Sequence, residues 1–285
     1  MKAGTSLLTI VLAMMTSITF LSAQTYPSNG LTGDETNLYA MNKQVGQFIK
    51  RFNMEEDQYG KVLNTKDSKY RNSRLRKDFL PLMFDQHNPR TSGTLKNYFI
   101  DDVTNMETPV FLQFLDINWY AEVSTEFIYK GNPVNIVLFL TLEKENLGSK
   151  WVLSNAYFNK LSNLFPFADT LLQQQLFLHP QSHELDFMNL HKALEDPTHI
   201  EYYASQNYHP DYLTLFFYLM KTNQLEFKAI NTVKFHFLQI DHWYFELSYF
   251  NRDDSNSGWL ISNLIYADEQ NKKELLKTFR ICTAN

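Results

Sequence analysis

The chain of 285 residues is long enough for two domains of ordinary size, and its 44% hydrophobic and 15% aromatic content is typical of packed cores rather than disorder. A net charge of −5 argues against nucleic acid as a partner, because neutralising phosphates requires a basic face. The single cysteine, Cys282, excludes an intramolecular disulfide.

The first residues have the pattern of a cleaved signal peptide. Lys2 supplies the positive start, an apolar run extends from Leu7 to Phe20, and Ala23 offers a small residue at the cleavage point. That run is shorter than the roughly 20 residues of a membrane helix, so a membrane anchor is the weaker interpretation. We expect residues 1–23 to be removed and residues 24–33 to form a flexible lead-in. The mature protein is then exported, periplasmic or secreted, and has no transmembrane span.

Helical periodicity follows, and then strand periodicity. Apolar residues spaced three and four apart predict an amphipathic helix after Asp34: Leu38, Met41, Val45, Phe48 and Phe52. A second helical pattern runs from Arg74 to Phe84 and is bent by Pro81. From Trp119 the period changes to two, which predicts a half-buried antiparallel strand. Residues 134–142 and a segment from Trp151 complete a three-stranded meander.

Two copies of one pattern indicate that the chain is built twice. Trp151-Val152-Leu153-Ser154-Asn155 and Trp259-Leu260-Ile261-Ser262-Asn263 are 108 positions apart, and each follows a polar turn containing Gly. A second meander is predicted over residues 225–238, 243–250 and 259–266. We therefore expect an α+β fold of two tandem domains, each with helices and its own curved antiparallel sheet. The predicted bounds are 34–160 for the N-terminal domain, 161–180 for a helical connection and 181–285 for the C-terminal domain.

Helices followed by a bent meander whose last strand begins with Trp resemble the nuclear transport factor 2-like superfamily, over residues 34–160 and again 181–268. The cystatin-like fold, which also wraps a sheet around a helix, is the alternative. The resemblance implies a cone formed by the sheet, with helices closing its mouth. The superfamily contains isomerases, cyclases and dehydratases as well as non-catalytic binding modules, so the fold alone does not give the function. The catalytic residues of ketosteroid isomerase have no counterparts that we can number in this chain.

The histidines form no metal-binding motif. Five of the eight lie close together in the sequence: His179, His183, His191, His199 and His209. His183-Glu184 lacks the second His of a His-Glu-x-x-His site, and His191 is eight positions further on. We therefore predict neither a metal nor a cofactor. Asp241 and His242 lie at a predicted turn beside His236, where an acid–base pair is conceivable, but Asp also favours turns for its backbone hydrogen bonds.

Polar residues on apolar strand faces are the candidate pocket residues. Alternation places Thr125, Asn155, Asn231 and Asn263 on the same faces as their apolar neighbours. Each must find a hydrogen-bond partner, either in the backbone or in a ligand. The favoured hypothesis is an exported two-domain binding or scaffold module without catalytic activity, whose partner is a protein or a small apolar ligand. The alternative is a small-molecule isomerase, cyclase or hydrolase that uses one cone-shaped pocket.

Overall fold

The computed structural model describes residues 45–145, 148–162, 164–165, 175–176, 178, 190–205 and 208–280. The predicted signal peptide, the lead-in and Cys282 lie outside the described residues, as does most of the connection 161–180. None of the described helices has both the length and the apolar character needed to cross a bilayer.

Three α-helices of the described residues precede the sheet. They are α1 at residues 45–52, α2 at Ser73–Phe79 and α3 at Thr94–Val103. Asn72 caps α2 by accepting a hydrogen bond from the N–H of Leu75. After α2 the chain tightens into a 3₁₀ turn, Leu80–Met83, because Pro81 has no N–H to continue an α-helix. The helix predicted from Arg74 to Phe84 therefore ends earlier than expected, at Phe79.

Arg76 of α2 joins the other two helices. Its guanidinium is fully buried and donates to three main-chain carbonyls, those of Phe52, Val103 and Val110, at 3.0, 3.0 and 2.6 Å. Phe52 and Val103 are the last residues of α1 and α3. A cation is stabilised at a helix C-terminus, where carbonyl groups are unpaired, so one side chain satisfies two helix ends at once.

Six strands form one antiparallel sheet in the order β3-β2-β1-β4-β5-β6. Their bounds are β1 Trp119–Tyr129, β2 Asn132–Glu145, β3 Gly148–Tyr157, β4 Leu225–Phe237, β5 Trp243–Phe250 and β6 Gly258–Tyr266. With its helices, this sheet makes the fold α+β, and both predicted meanders are confirmed.

The expectation of two separate sheets is wrong. β1 and β4 pair along their length, from Trp119 opposite Phe237 to Tyr129 opposite Leu225. Each meander alone would leave its first strand as an open edge, and this pairing satisfies both edges together. The shift of 108 that aligns the two Trp motifs also carries Tyr129, the end of β1, onto Phe237, the end of β4.

The described helical segments outside the region before the sheet are α4 Asn159–Ser162, α5 Leu190–Glu195, a 3₁₀ segment Pro197–Tyr203, α6 Tyr212–Lys221 and α7 Glu269–Arg280. Of these, α4, α6 and α7 pack on the sheet. Phe216 and Leu219 of α6 pack on Phe127 of β1, while α7 brings Leu275 and Leu276 against the opposite face near Tyr120.

Aromatic side chains fill the sheet face that α1 and α3 cover. Phe245 lies 4.8 Å from Phe237 and 5.7 Å from Phe99 between ring centroids, and Phe237 lies 5.1 Å from Trp119. Toward α6, Phe127 contacts Phe216 and Phe227 on the same sheet face. The interior of the predicted cone is therefore occupied by rings at both of these places.

The repeated Trp motif has a specific structural meaning, because each copy carries a β-bulge at its Ser-Asn pair. The β2–β3 register shifts after Phe139, which pairs with Asn155, and the β5–β6 register shifts after Glu246, which pairs with Asn263. The hydroxyl of Ser154 donates to the carbonyl of Phe139 at 3.1 Å. That of Ser262 donates to the carbonyl of Glu246 at 3.2 Å. The same sequence pattern thus makes the same bulge in both edge strands.

Candidate functional site

A cleft of about 610 Å³ lies between α1 and the loop that joins β5 to β6. Phe79, Leu82 and Met83, from the end of α2 and the 3₁₀ turn, supply apolar lining. The rim is open to solvent, since Tyr59 is 86% exposed and Leu82 is 54% exposed. A cleft of this volume is in the range of small-molecule sites.

The α1 wall carries a hydrogen-bonded group centred on Glu56. Gln47 Nε2 and Arg51 Nε both donate to Glu56 Oε1, at 2.6 and 3.0 Å. The Glu56 side chain is almost fully buried, whereas that of Arg51 is 34% exposed. Gly60 approaches the group with a φ of +82°, and an added Cβ there would meet Glu56 Oε1 at 3.8 Å and Arg51 Nη2 at 3.9 Å. This wall thus contains an ion pair, in which Glu56 compensates the charge of Arg51. The Nη donors of Arg51 have no hydrogen-bond acceptor among the described residues.

The opposite wall comes from the β5–β6 hairpin: Tyr249, Ser255, Ser257, Gly258, Trp259 and Leu260. The hairpin loop is fixed to the segment before α3. Asn256 Nδ2 donates to the carbonyl of Phe84 at 2.8 Å, and its Oδ1 accepts from the N–H of Gln86 at 2.9 Å. Arg252 Nη1 also pairs with Asp85 Oδ1 at 2.8 Å. The wall is therefore held by contacts made behind the cleft.

Trp259 differs from the other buried tryptophans. Trp119 Nε1 donates to the carbonyl of Phe114 at 3.0 Å, and Trp243 Nε1 donates to Asp102 Oδ2 at 2.9 Å. Trp259 is only 8% exposed, yet its buried Nε1–H has no hydrogen-bond partner among the described residues. Leaving a buried donor unpaired costs about 1–3 kcal/mol. This indole belongs to the cleft lining, but its Nε1 atom has almost no accessible surface, so an acceptor supplied by a ligand recovers that cost only if the lining moves slightly.

A second polar group lies on the other face of the sheet. His236 of β4 contacts Glu122 Oε2 of β1 through Nε2 at 3.0 Å, and the Tyr244 hydroxyl of β5 through Nδ1 at 2.8 Å. Because a carboxylate only accepts, Nε2–H donates to Glu122, and Nδ1 accepts the Tyr244 proton when the ring is neutral. The hydrogen bond from His236 lowers the pKa of Glu122, while burial raises the pKa of Tyr244. An acid, an imidazole and a phenol are therefore linked across three strands.

None of the four sequence-predicted pocket residues lines this cleft. Thr125 is buried as expected, and its hydroxyl donates to the carbonyl of Ile136 on β2 at 2.6 Å, which is a backbone contact. Asn231 is exposed, since it is the extra residue at a register shift between β1 and β4.

The placement of Asn155 and Asn263 beside their tryptophans is also wrong. The bulge at Ser154 puts Asn155 opposite Phe139, on the face away from Trp151, and its Oδ1 accepts from the N–H of Ala156 at 2.8 Å. The bulge at Ser262 likewise puts Asn263 opposite Glu246. Strict alternation fails at a bulge because one residue is inserted into the ladder.

The histidine predictions have mixed outcomes. Asp241 and His242 form the predicted turn between β4 and β5 and are exposed, but the acidic partner of His236 is Glu122 and not Asp241. His179 and His183 lie outside the described residues, and His191 is exposed. Across the described part of the chain, no three His, Cys, Asp or Glu side chains converge in a way that could hold a metal ion.

Comparisons with protein-family models, with curated proteins and with solved structures find no match for this chain. The cleft is therefore characterised by its own residues. Sequence reasoning identified Trp259 through the repeated motif, but it did not identify Gln47 or Arg51. The missing signal was the contact between α1 and a hairpin some 200 residues further along the chain.

Proposed function

We propose that this protein is an exported binding module without catalytic activity, and that its ligand occupies the cleft between α1 and the β5–β6 hairpin. The observation that carries the proposal is the buried, unpartnered indole N–H of Trp259 in the lining of a 610 Å³ cleft. Export is proposed from the signal-peptide pattern of residues 1–23.

The lining favours binding over catalysis. Its aromatic and apolar side chains are combined with amide and hydroxyl groups, which is the composition of sites that orient a ligand. Among the described lining residues there is no Asp, Glu, His, Lys or Cys, the side chains that most often act as general acid, general base or nucleophile. Ser255 and Ser257 therefore have no base beside them in the lining to activate a hydroxyl.

The enzyme alternative rests on a different group, Glu122, His236 and Tyr244. A hydrogen-bonded acid and imidazole is a plausible proton-transfer pair in general. However, this group lies on the sheet face away from Trp259, and His236 and Tyr244 are 3% and 5% exposed. The cone interior that the alternative requires is occupied by Phe and Trp rings where the structure describes it. A network that stabilises the central strands is the simpler role.

We also propose that the chain arose by duplication of one helix-plus-meander unit, in which the two copies now share a sheet. From either edge of the sheet inward, the strands are the third, second and first of one meander. Both edge strands also carry the Trp-x-x-Ser-Asn bulge. Descent of that unit from the nuclear transport factor 2-like superfamily is part of this proposal.

The test is a thermal-shift screen of the full chain, secreted through its own N-terminal region, against neutral sugars, amino acids, nucleosides, fatty acids and aromatic carboxylates. Ser255→Trp fills the cleft from an exposed lining position, and Asn251→Trp adds the same side chain nearby, outside the lining. For a ligand at about 100 times its Kd, we expect Tm to rise by roughly 5–10 °C.

The expected result is that at least one ligand class raises the Tm of the wild type and of Asn251→Trp, but not that of Ser255→Trp. Two results would contradict the proposal: no class shifts the Tm of the folded wild type, or the shift survives Ser255→Trp unchanged.

A further inference from the structure

We infer that the ligand of the cleft is a saccharide, with a sugar ring against the exposed face of Tyr249 and its hydroxyl groups on the polar lining. This inference rests on the proposed binding function and names the ligand class. Five steps support it: the balance of the lining, its charge, the free indole donor, the rigidity of one wall and the occupied edge of β6.

The lining presents apolar ring faces together with uncharged hydrogen-bonding groups. Tyr249 is 43% exposed, so one side of its ring is available to a ligand, and the other aromatic lining residues are Phe48, Tyr59, Phe79 and Trp259. The hydrogen-bonding groups that are free among the described residues, in contrast, are Gln58 and Ser255, because Gln47 already donates to Glu56 and Ser257 already donates to the carbonyl of Phe250. A sugar ring likewise combines an apolar face of C–H groups with a rim of hydroxyl groups that form hydrogen bonds. A lipid chain, by comparison, would remove water from Gln58 and Ser255 without offering them a hydrogen-bond partner, at a cost for each.

The charge of the lining selects a neutral or weakly acidic ligand. Arg51 is the sole formally charged side chain among the described lining residues, and Glu56 already compensates it through Nε. The remaining Nη groups offer donors to hydroxyl or carboxylate oxygens. With no acidic residue in the described lining, a cationic ligand would gain no ion pair.

Two features lower the cost of binding. The Trp259 N–H has no hydrogen bond within the described protein, so a small movement of the lining that brings it to a ligand hydroxyl breaks none. The loop that carries Ser255 and Ser257 is fixed by Asn256 and Arg252, so binding would not have to order it. Preorganised groups reduce the entropic cost of binding.

A peptide ligand is disfavoured at this place because the neighbouring strand edge is occupied. Extended peptides commonly bind by adding a strand to an open sheet edge. The outer edge of β6 already accepts two bonds from the segment before α3. The N–H of Asp85 donates to the carbonyl of Ile261 at 3.0 Å, and Asn88 Nδ2 donates to that of Ser262 at 2.7 Å. A ligand in the cleft would therefore contact side chains rather than pair with free backbone groups of a strand edge.

The experiment is a glycan array probed with the full chain. The array carries neutral and acidic mono- to tetrasaccharides built on glucose, galactose, mannose and N-acetylglucosamine. Calorimetric titration of the strongest hit follows. Tyr249→Ala removes the proposed ring platform, and Tyr98→Ala removes a similarly exposed tyrosine from α3, outside the lining. Tyr249→Ala is expected to weaken binding by at least about threefold, and Tyr98→Ala to leave Kd unchanged.

Three outcomes are distinguishable. Saccharide binding that Tyr249→Ala weakens and Ser255→Trp abolishes supports the inference. Absence of saccharide binding, while another compound class binds in a manner that Ser255→Trp abolishes, overturns the saccharide inference and leaves the binding function standing. Saccharide binding that neither variant changes would show that the sugar binds elsewhere, and overturns the inference for this cleft.

Discussion

Arg76 provides the sharpest test of how the region before the sheet is held together, because one guanidinium there serves three carbonyls. Burial, with a smaller contribution from Arg71, lowers the pKa of Arg76 to about 10, so the side chain remains charged at neutral pH. Arg76→Met removes all three hydrogen bonds while keeping most of the apolar stem. The ring of Phe111, 4.5 Å from the guanidinium carbon, would lose its cationic neighbour as well.

The expected loss of stability follows from which hydrogen bonds each of the three carbonyls keeps. Val103 keeps the N–H of Val110 as a donor at 3.1 Å, whereas the carbonyls of Phe52 and Val110 lose the donor that Arg76 supplies. One buried and one part-buried acceptor, at about 1–3 kcal/mol each, give an expected loss of roughly 2–6 kcal/mol in the free energy of unfolding. Arg76→Lys keeps the charge but lacks the planar fork, so we expect a loss of about half that size.

The assay is urea denaturation followed by tryptophan fluorescence and circular dichroism. Arg74→Met is the matched control, since Arg74 is exposed on the same helix and the change in charge is identical. If Arg76→Met and Arg74→Met unfold at the same urea concentration, the carbonyl-bridging role of Arg76 is wrong.

Three further predictions concern the sheet and the hairpin. The hydrogen bond from His236 lowers the pKa of Glu122 below its ordinary value of 4.5, so Glu122 stabilises the fold above that pH and loses this contribution as pH falls through the lowered pKa. Glu122→Gln should therefore lose less stability than the wild type between about pH 5 and about pH 3 in acid-unfolding curves, and identical curves would contradict the linkage. Ser262→Ala removes the hydroxyl that bridges the β6 bulge, and we expect it to cost about 1 kcal/mol in urea unfolding; no measurable cost would show that the bulge forms without it. Asn256→Ala releases the hairpin loop from Phe84 and Gln86, and should speed amide exchange in the loop while the centre of β1 stays protected. Unchanged exchange in the loop would mean that Asn256 does not hold it.

The local elements could be predicted from the sequence because their signals are local. Val45, Phe48 and Phe52 are all buried on α1, as helical spacing required. The alternation from Trp119 defined β1, and the aromatic runs defined β4, β5 and β6 within a residue or so of their observed bounds.

The shared sheet and the cleft could not be predicted in the same way, because both depend on contacts between distant parts of the chain. The sequence periodicity of β1 and β4 does not indicate that these strands pair with each other. A half-buried strand has the same alternating pattern whether it lies at the edge or at the centre of a sheet. The bulges at Ser154 and Ser262 reversed the predicted faces of Asn155 and Asn263. In the sequence a bulge appears only as a pattern that one extra residue interrupts.

The most direct measurement is an NMR titration of protein labelled with ¹⁵N at tryptophan, in which each of the four indole N–H groups gives its own signal. Trp259→Phe assigns the signal of Trp259, and the titrant is the strongest saccharide from the array. We expect the Trp259 signal to move in proportion to ligand bound, while those of Trp119 and Trp243, already bonded within the protein, stay in place. A saturated protein in which the Trp259 signal has not moved would contradict the placement of the ligand in this cleft.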